Sequence, residues 1–214
     1  MDNSLTTRLK LNTEEFIGQH FFTATGITIF KKGISYFDLK RHQKDTAGNS
    51  IDIVTLEDWS APLSITQGKP SPLMGYWLPQ GQNIDIPAVP APTDPSFLFT
   101  ADFSGCSFMV DKLTADTLRV YHVQGGSNYM QTEYLDARHD HGLGQCAAIK
   151  VEDYGNDKSP RAFIFMKYDH KASTPGWRIY TQKQYGIGMS YKPQTGDIQT
   201  VGAQTICGSN TLLL

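Results

Sequence analysis

A chain of 214 residues, 39% hydrophobic and 19% charged, can bury one sizeable core but not several, so a single domain spanning 1–214 is expected. Nineteen Lys and Arg against 21 Asp and Glu leave a net charge of -2, which supplies no bulk field for nucleic acid or an anionic membrane. Three cysteines cannot all pair within one chain, which excludes a dense disulfide framework, and no apolar run approaches the roughly 18 residues that span a bilayer.

Met1 to Lys10 carry no continuous apolar segment of an export signal, so the sequence reads as that of a soluble protein. Asn12 or Thr13 can cap a short helix that begins at Glu14 and Glu15, whose charges suit a helix N-terminus, and Gly18 limits it. From Gly26 onward Ile27, Ile29, Ile34, Tyr36, Phe37 and Leu39 recur in short runs broken by Lys31, Lys32 and Gly33, as in a hairpin or two adjacent strands. Residues 41–50 are polar and read as a loop; 51–56 alternate as a half-buried strand does.

Residues 61–95 carry most of the eleven prolines, which excludes a helix or a central strand over most of that length. Residues 74–78 are the exception, a short aromatic strand stopped by Pro79. Pro87, Pro90, Pro92 and Pro95 then favour an extended covering segment. Residues 97–103, 107–110, 118–123, 163–168, 177–181 and 187–191 read as further short strands, 111–116 as a turn, and 128–139 as the best place for one more helix. The fold class is therefore α+β: a β-rich sandwich of mixed sheets with a few peripheral helices.

Chemistry concentrates around Cys106. Gly105 permits a tight turn just before the thiol, a way to present a nucleophile at a strand end, although a cysteine amid Phe103, Phe108, Met109 and Val110 also suits an inert core. His122 lies in a run, Val120 to Val123, that otherwise has the composition of a core strand. Two neighbouring strands would set it beside Cys106 as a base for the thiol.

Thr100 to Cys106 reads Thr-Ala-Asp-Phe-Ser-Gly-Cys, with Val-Tyr-His-Val following one hairpin later. This ordered set resembles the active-site signature of the cytotoxic necrotizing factor type glutamine deamidases. Tyr76, Trp77, Leu78 and Pro79, with Gly81 and Gln82 after them, resemble an aromatic-Leu-Pro segment upstream of the nucleophile in a small single-domain toxin of that family. The resemblance implies a necrotizing-factor-like catalytic domain with Cys106 as nucleophile, His122 as its base, and Thr100 orienting the histidine through its main-chain carbonyl. It implies a monomeric toxin or virulence factor, released or delivered into a host cytosol, that needs no cofactor or metal. The partner would be a host protein bearing an exposed glutamine: a translation-initiation RNA helicase, with translation inhibition as the outcome, or a Rho-type GTPase. No direct contact with nucleic acid or membrane is implied. Transglutamination, cysteine proteolysis and a non-enzymatic β-sandwich binding module are the alternatives.

A thioester route from glutamine to glutamate needs donors for the tetrahedral oxyanion. The Cys106 N–H is one, and the proline-rich segment can supply a second, with Gln82 and Asn83 as candidates. Asp136, His139, Asp140 and His141 form a competing constellation of metal-ligand types. Neighbouring side chains seldom converge on one ion, so these read as a solvated loop, with His139 or His141 at the rim of the cysteine pocket as an intermediate reading. Cys146 and Cys207 read as buried packing residues.

Overall fold

The computed structural model describes residues 5–24, 31–44, 51–58, 72–154, 161–184 and 199–205. Two short helices, α1 (Leu5–Leu11) and α2 (Thr13–Gln19), precede β1 (Phe21–Thr23), β2 (Gly33–Lys44) and β3 (Ile51–Asp58). The middle of the chain gives β4 (Leu73–Leu78), β5 (Gln82–Pro87), β6 (Phe97–Thr100), β7 (Ser107–Lys112) and β8 (Thr117–Val123). After α3 (Ser127–Tyr129) and a π-helical turn (Met130–Tyr134) come β9 (Gln145–Ile149), α4 (Val151–Tyr154), β10 (Arg161–Asp169), β11 (Gly176–Gln184) and β12 (Gln199–Thr205).

The strands form two sheets. The larger is mixed, in the order β1-β3-β2-β4-β6-β10-β11-β12, with β1/β3 and β4/β6 parallel and the other pairs antiparallel. The smaller is antiparallel, in the order β5-β8-β7-β9. One apolar layer joins them: Leu78, Leu98, Ile164, Met166 and Ile179 of the large sheet pack with Ile84, Ile86, Phe108, Val110 and Val120 of the small one. A second layer covers the opposite face of the large sheet, where Leu9, Phe16 and Ile17 of the helices meet Phe22, Phe99, Phe163 and Phe165. Strands β6 and β10 are thus covered on both faces, which is why they read as continuous apolar runs rather than alternating ones. Each fully buried Phe there stabilises the fold by about 2–3 kcal/mol.

The β-rich α+β reading holds, with differences that have local causes. The strand expected to end before Arg41 continues as β2 to Lys44, because the backbone of 41–44 pairs with Ile51 to Val54 whatever its side chains. The expected short helix is α2, and a further helix, α1, precedes it, the two meeting at Asn12, whose φ of -134° is not helical. The helix expected at 128–139 ends at Tyr134, which turns inward so that its hydroxyl donates to Asp111 at 2.7 Å. The turn expected at 111–116 begins two residues later, since β7 keeps its pairing through Lys112. Within the proline-rich stretch, β5 is an edge strand that ends on Pro87, where a missing N–H costs least. After it Trp177 Nε1 donates to the Pro87 carbonyl at 2.9 Å and holds the start of the covering segment; the part of that segment expected at 61–71 lies outside the described residues. The strand expected at 187–191 and Cys207 lie outside the described residues. Among the described residues no helix is long and apolar enough to cross a membrane.

Candidate active site

The parallel ladder between β4 and β6 sets Leu78 beside Thr100, the last residue of β6. Thr100 is fully buried, and its Oγ1 lies 2.6 Å from the Leu78 carbonyl oxygen and 2.6 Å from Nδ1 of His122. A hydroxyl has one proton, and a carbonyl oxygen can only accept. The Thr100 proton therefore goes to Leu78, and Nδ1 of His122 must carry a hydrogen and donate it to Oγ1. This relay fixes the tautomer: Nε2 is the bare nitrogen. It is buried and makes no hydrogen bond. Phe103 lies flat against the imidazole, with ring centroids 4.1 Å apart and planes within 6°. Phe103 is itself pinned by a backbone bridge to Ala162.

Cys106 follows a turn built on close backbone approach. Gly105 adopts φ +91°, and a Cβ on Gly125 would stand 2.8 Å from the Gly105 carbonyl oxygen, so two loops meet there main chain to main chain. One phenol clamps the turn: Tyr154 Oη accepts the Gly105 N–H at 3.0 Å and donates to the Cys106 carbonyl at 2.7 Å. Burial and the neighbouring Cys106 push the Tyr154 hydroxyl above its ordinary range, so it remains a donor. Further back in the same loop, Asp102 accepts from the Thr23 hydroxyl at 2.5 Å and the Ala24 N–H at 3.0 Å, tying the segment to β1.

The register of β7 against β8 relates the two groups. His122 stands opposite Phe108, and Cys106 is two residues before Phe108, just ahead of the first residue of β7. Extended by one residue, the ladder makes Cys106 and His122 diagonal neighbours, about 7–8 Å apart at the backbone. They are not hydrogen-bonded to each other: Sγ accepts from Nε2 of Gln80 at 3.4 Å. Cys106 is 2% exposed, whereas Gln80 is an exposed residue, so the carboxamide sits between the sulfur and solvent. Burial lowers the His122 pKa from 6.5 to about 3, so the imidazole is neutral at physiological pH. Histidine ordinarily titrates near neutrality, and burial removes that behaviour here. The imidazole therefore carries an unprotonated Nε2, the form a general base needs, with a basicity that burial weakens.

Of the residues singled out in the sequence, Thr100 and His122 are in direct contact, and Cys106 lies two residues before Phe108, the ladder partner of His122. Thr100 meets His122 through its side-chain hydroxyl, where its main-chain carbonyl was expected, and the carbonyl in this chain of hydrogen bonds is that of Leu78. Gln82 pairs with His122 and so shares its face, with Asn83 next to it, but the side chain on the sulfur is Gln80. Gln80 adjoins the Tyr76 to Pro79 segment, and that adjacency was the available signal.

His139 and His141 do not rim the cysteine pocket. They lie against Tyr121, on the opposite face of the small sheet, because Tyr121 points away from the layer that contains His122. Each member of the proposed metal constellation has a local partner. Asp136 binds Arg138, His139 Nε2 approaches the Thr132 carbonyl, Asp140 accepts the Gly142 N–H, and His141 Nδ1 lies 2.6 Å from Asp111 Oδ2. Among the described residues no group of three or more His, Cys, Asp or Glu could hold a metal ion. Cys146 is half-buried against the core. No protein-family model and no curated protein matches the chain.

Proposed function

We propose that the protein is a cysteine-dependent protein glutamine deamidase, a toxin or effector with a necrotizing-factor-like catalytic domain. The observation that carries the reading is the Leu78–Thr100–His122 relay, which leaves a bare, buried Nε2 on a residue one diagonal step from Cys106 in register. Cys106 Sγ attacks the δ-carbon of a substrate glutamine as its proton passes to Nε2 of His122, giving a tetrahedral oxyanion near the Cys106 N–H. The flat Phe103 ring and the Thr100 hydroxyl attend the transient imidazolium. The carbon–nitrogen bond then breaks, His122 returns the proton to departing ammonia, and a water deprotonated by the same imidazole cleaves the thioester to glutamate. The resemblance at 100–106 and 120–123 directs the target to a translation-initiation RNA helicase or a Rho-type GTPase of a host cell.

One observation favours a second reading. A thiol 2% exposed, next to a histidine held neutral, also fits a β-sandwich binding module in which Cys106 is core. Iodoacetamide separates the two. A deamidase thiol is reached and alkylated in the folded protein, and a core thiol reacts only on unfolding. Host-cell lysate treated with wild type or with Cys106→Ser, then mapped for Gln-to-Glu mass changes, tests the activity itself. A target modified only by wild type is the expected result, and identical maps defeat the proposal.

A further inference from the structure

We infer that Gln80 is the second oxyanion donor of this site, an inference that rests on the deamidase reading above. When Sγ bonds to the substrate carbon, the developing oxyanion is the oxygen on that carbon, two bonds from sulfur. A donor already 3.4 Å from Sγ therefore needs only a side-chain rotation to come within the roughly 2.7–3.1 Å that such donors require. The carboxamide suits the role because it is neutral, so it neither competes with His122 for the proton nor loses its hydrogens with pH.

The backbone holds this donor to the catalytic strand. Gly81 adopts φ +74°, and its N–H donates to the His122 carbonyl at 2.8 Å, so the turn carrying Gln80 hangs on the main chain of the proposed base. Glu133 packs on the other side. Its Oε1 comes within 3.2 Å of where a Gly81 Cβ would stand, and its Oε2 accepts the Gln124 N–H at 2.8 Å. The residue is exposed while the sulfur is not, so the same side chain covers the thiol at rest and must swing aside, onto the oxyanion, as a substrate carboxamide enters.

The test uses [1-¹³C]butyraldehyde, which carries the aliphatic arm and carbonyl of a glutamine side chain and adds a thiol reversibly to give a tetrahedral hemithioacetal. Binding to the full chain is followed by ¹³C NMR, alongside the rate of alkylation by iodoacetamide, whose displacement at carbon creates no oxyanion. Wild type is expected to form the adduct and Cys106→Ser to form none. Gln80→Leu should weaken the adduct about tenfold or more while its alkylation rate holds or rises, and Gln80→Glu should weaken it further by turning an acceptor toward the oxygen. Equal adduct affinity in wild type and either Gln80 variant overturns the inference and leaves the nucleophile standing, as does a parallel fall in alkylation. A wild-type thiol inert to both reagents overturns the deamidase reading, and the inference with it.

Discussion

Two histidines on opposite faces of the small sheet are each held through Nδ1 at 2.6 Å from an oxygen, and they could hardly be used more differently. His141 meets the carboxylate of Asp111, which is fully buried and also accepts the Tyr134 hydroxyl at 2.7 Å. His122 meets only a hydroxyl, is itself fully buried, and keeps an unpartnered Nε2. The carboxylate pair is the more conspicuous dyad, yet its partners satisfy one another. The hydroxyl pair leaves a buried acceptor unmatched, at a cost of about 1–3 kcal/mol, next to a cysteine. A fold retains such an unmatched group where chemistry can use it, so the weaker-looking histidine is the functional candidate.

Exchanging the roles of the two histidines gives the largest expected effect. His122→Gln should lower deamidation of the lysate-identified target by about 10²–10⁴-fold, the range for a general base. His141→Gln should leave the rate within about twofold and lower the unfolding midpoint, because Asp111 loses a hydrogen-bonding partner. A rate collapse in His141→Gln with an unchanged midpoint would reverse the assignment of the two faces.

Acid sharpens the same contrast. The pKa of His122 is depressed to about 3 in the folded protein and is about 6.5 unfolded, so between those values the unfolded state binds more protons. Its contribution to stability is complete above about pH 6.5 and is lost as pH falls toward 3, by up to about 4 kcal/mol. Urea unfolding from pH 7 to pH 4 should therefore show a steeper loss for wild type than for His122→Gln. Parallel curves would mean that His122 is not held neutral.

The sequence made the inner face partly legible and the outer face misleading. Continuous apolar runs at 97–99 and 162–166 marked strands covered on both sides, because side-chain polarity alone reports that. Cys106 and His122 could be paired from the hairpin that joins their strands, a local relation with a definite register. Thr100 was legible only by resemblance, and its working atom was misread, since the relay depends on the parallel partner Leu78, 22 residues away. Gln80 was passed over for Gln82 and Asn83 because nothing in a sequence says which of several amides a positive-φ glycine will aim at a sulfur. The acid-and-histidine cluster at 136–141 drew notice by composition, whereas its partners, Thr132 and Asp111, lie outside the cluster.

Thr100→Val is the next effect in size and separates tautomer control from packing. It removes the hydroxyl from between two buried groups, the Nδ1–H of His122 and the Leu78 carbonyl, so a loss of about 2–3 kcal/mol in stability is expected. The imidazole proton is then free to settle on Nε2, which abolishes the base. ¹⁵N shifts of the His122 ring should report that change, with His141 unaltered. Thr100→Ser should restore both the tautomer and most of the activity. A valine variant that keeps the original ring shifts would show that the relay does not set the tautomer.

The smallest effect expected is that of Gly125→Ala, about 1–3 kcal/mol, and it discriminates most finely between the two faces. The new methyl would stand 2.8 Å from the Gly105 carbonyl oxygen and 3.0 Å from its carbon, backbone atoms that cannot rotate away as a flexible side chain would. Relief must come from the turn that precedes Cys106, and through Tyr154 from the Cys106 carbonyl. Alkylation of the thiol should therefore change by more than the stability loss would suggest. The Asp111–His141–Tyr134 network, on the far side of the sheet, should keep its ring shifts. An alanine variant with unaltered alkylation and an unaltered unfolding midpoint would mean that the Gly105–Gly125 approach does not hold the nucleophile turn, and the inner face would lose its mechanical basis.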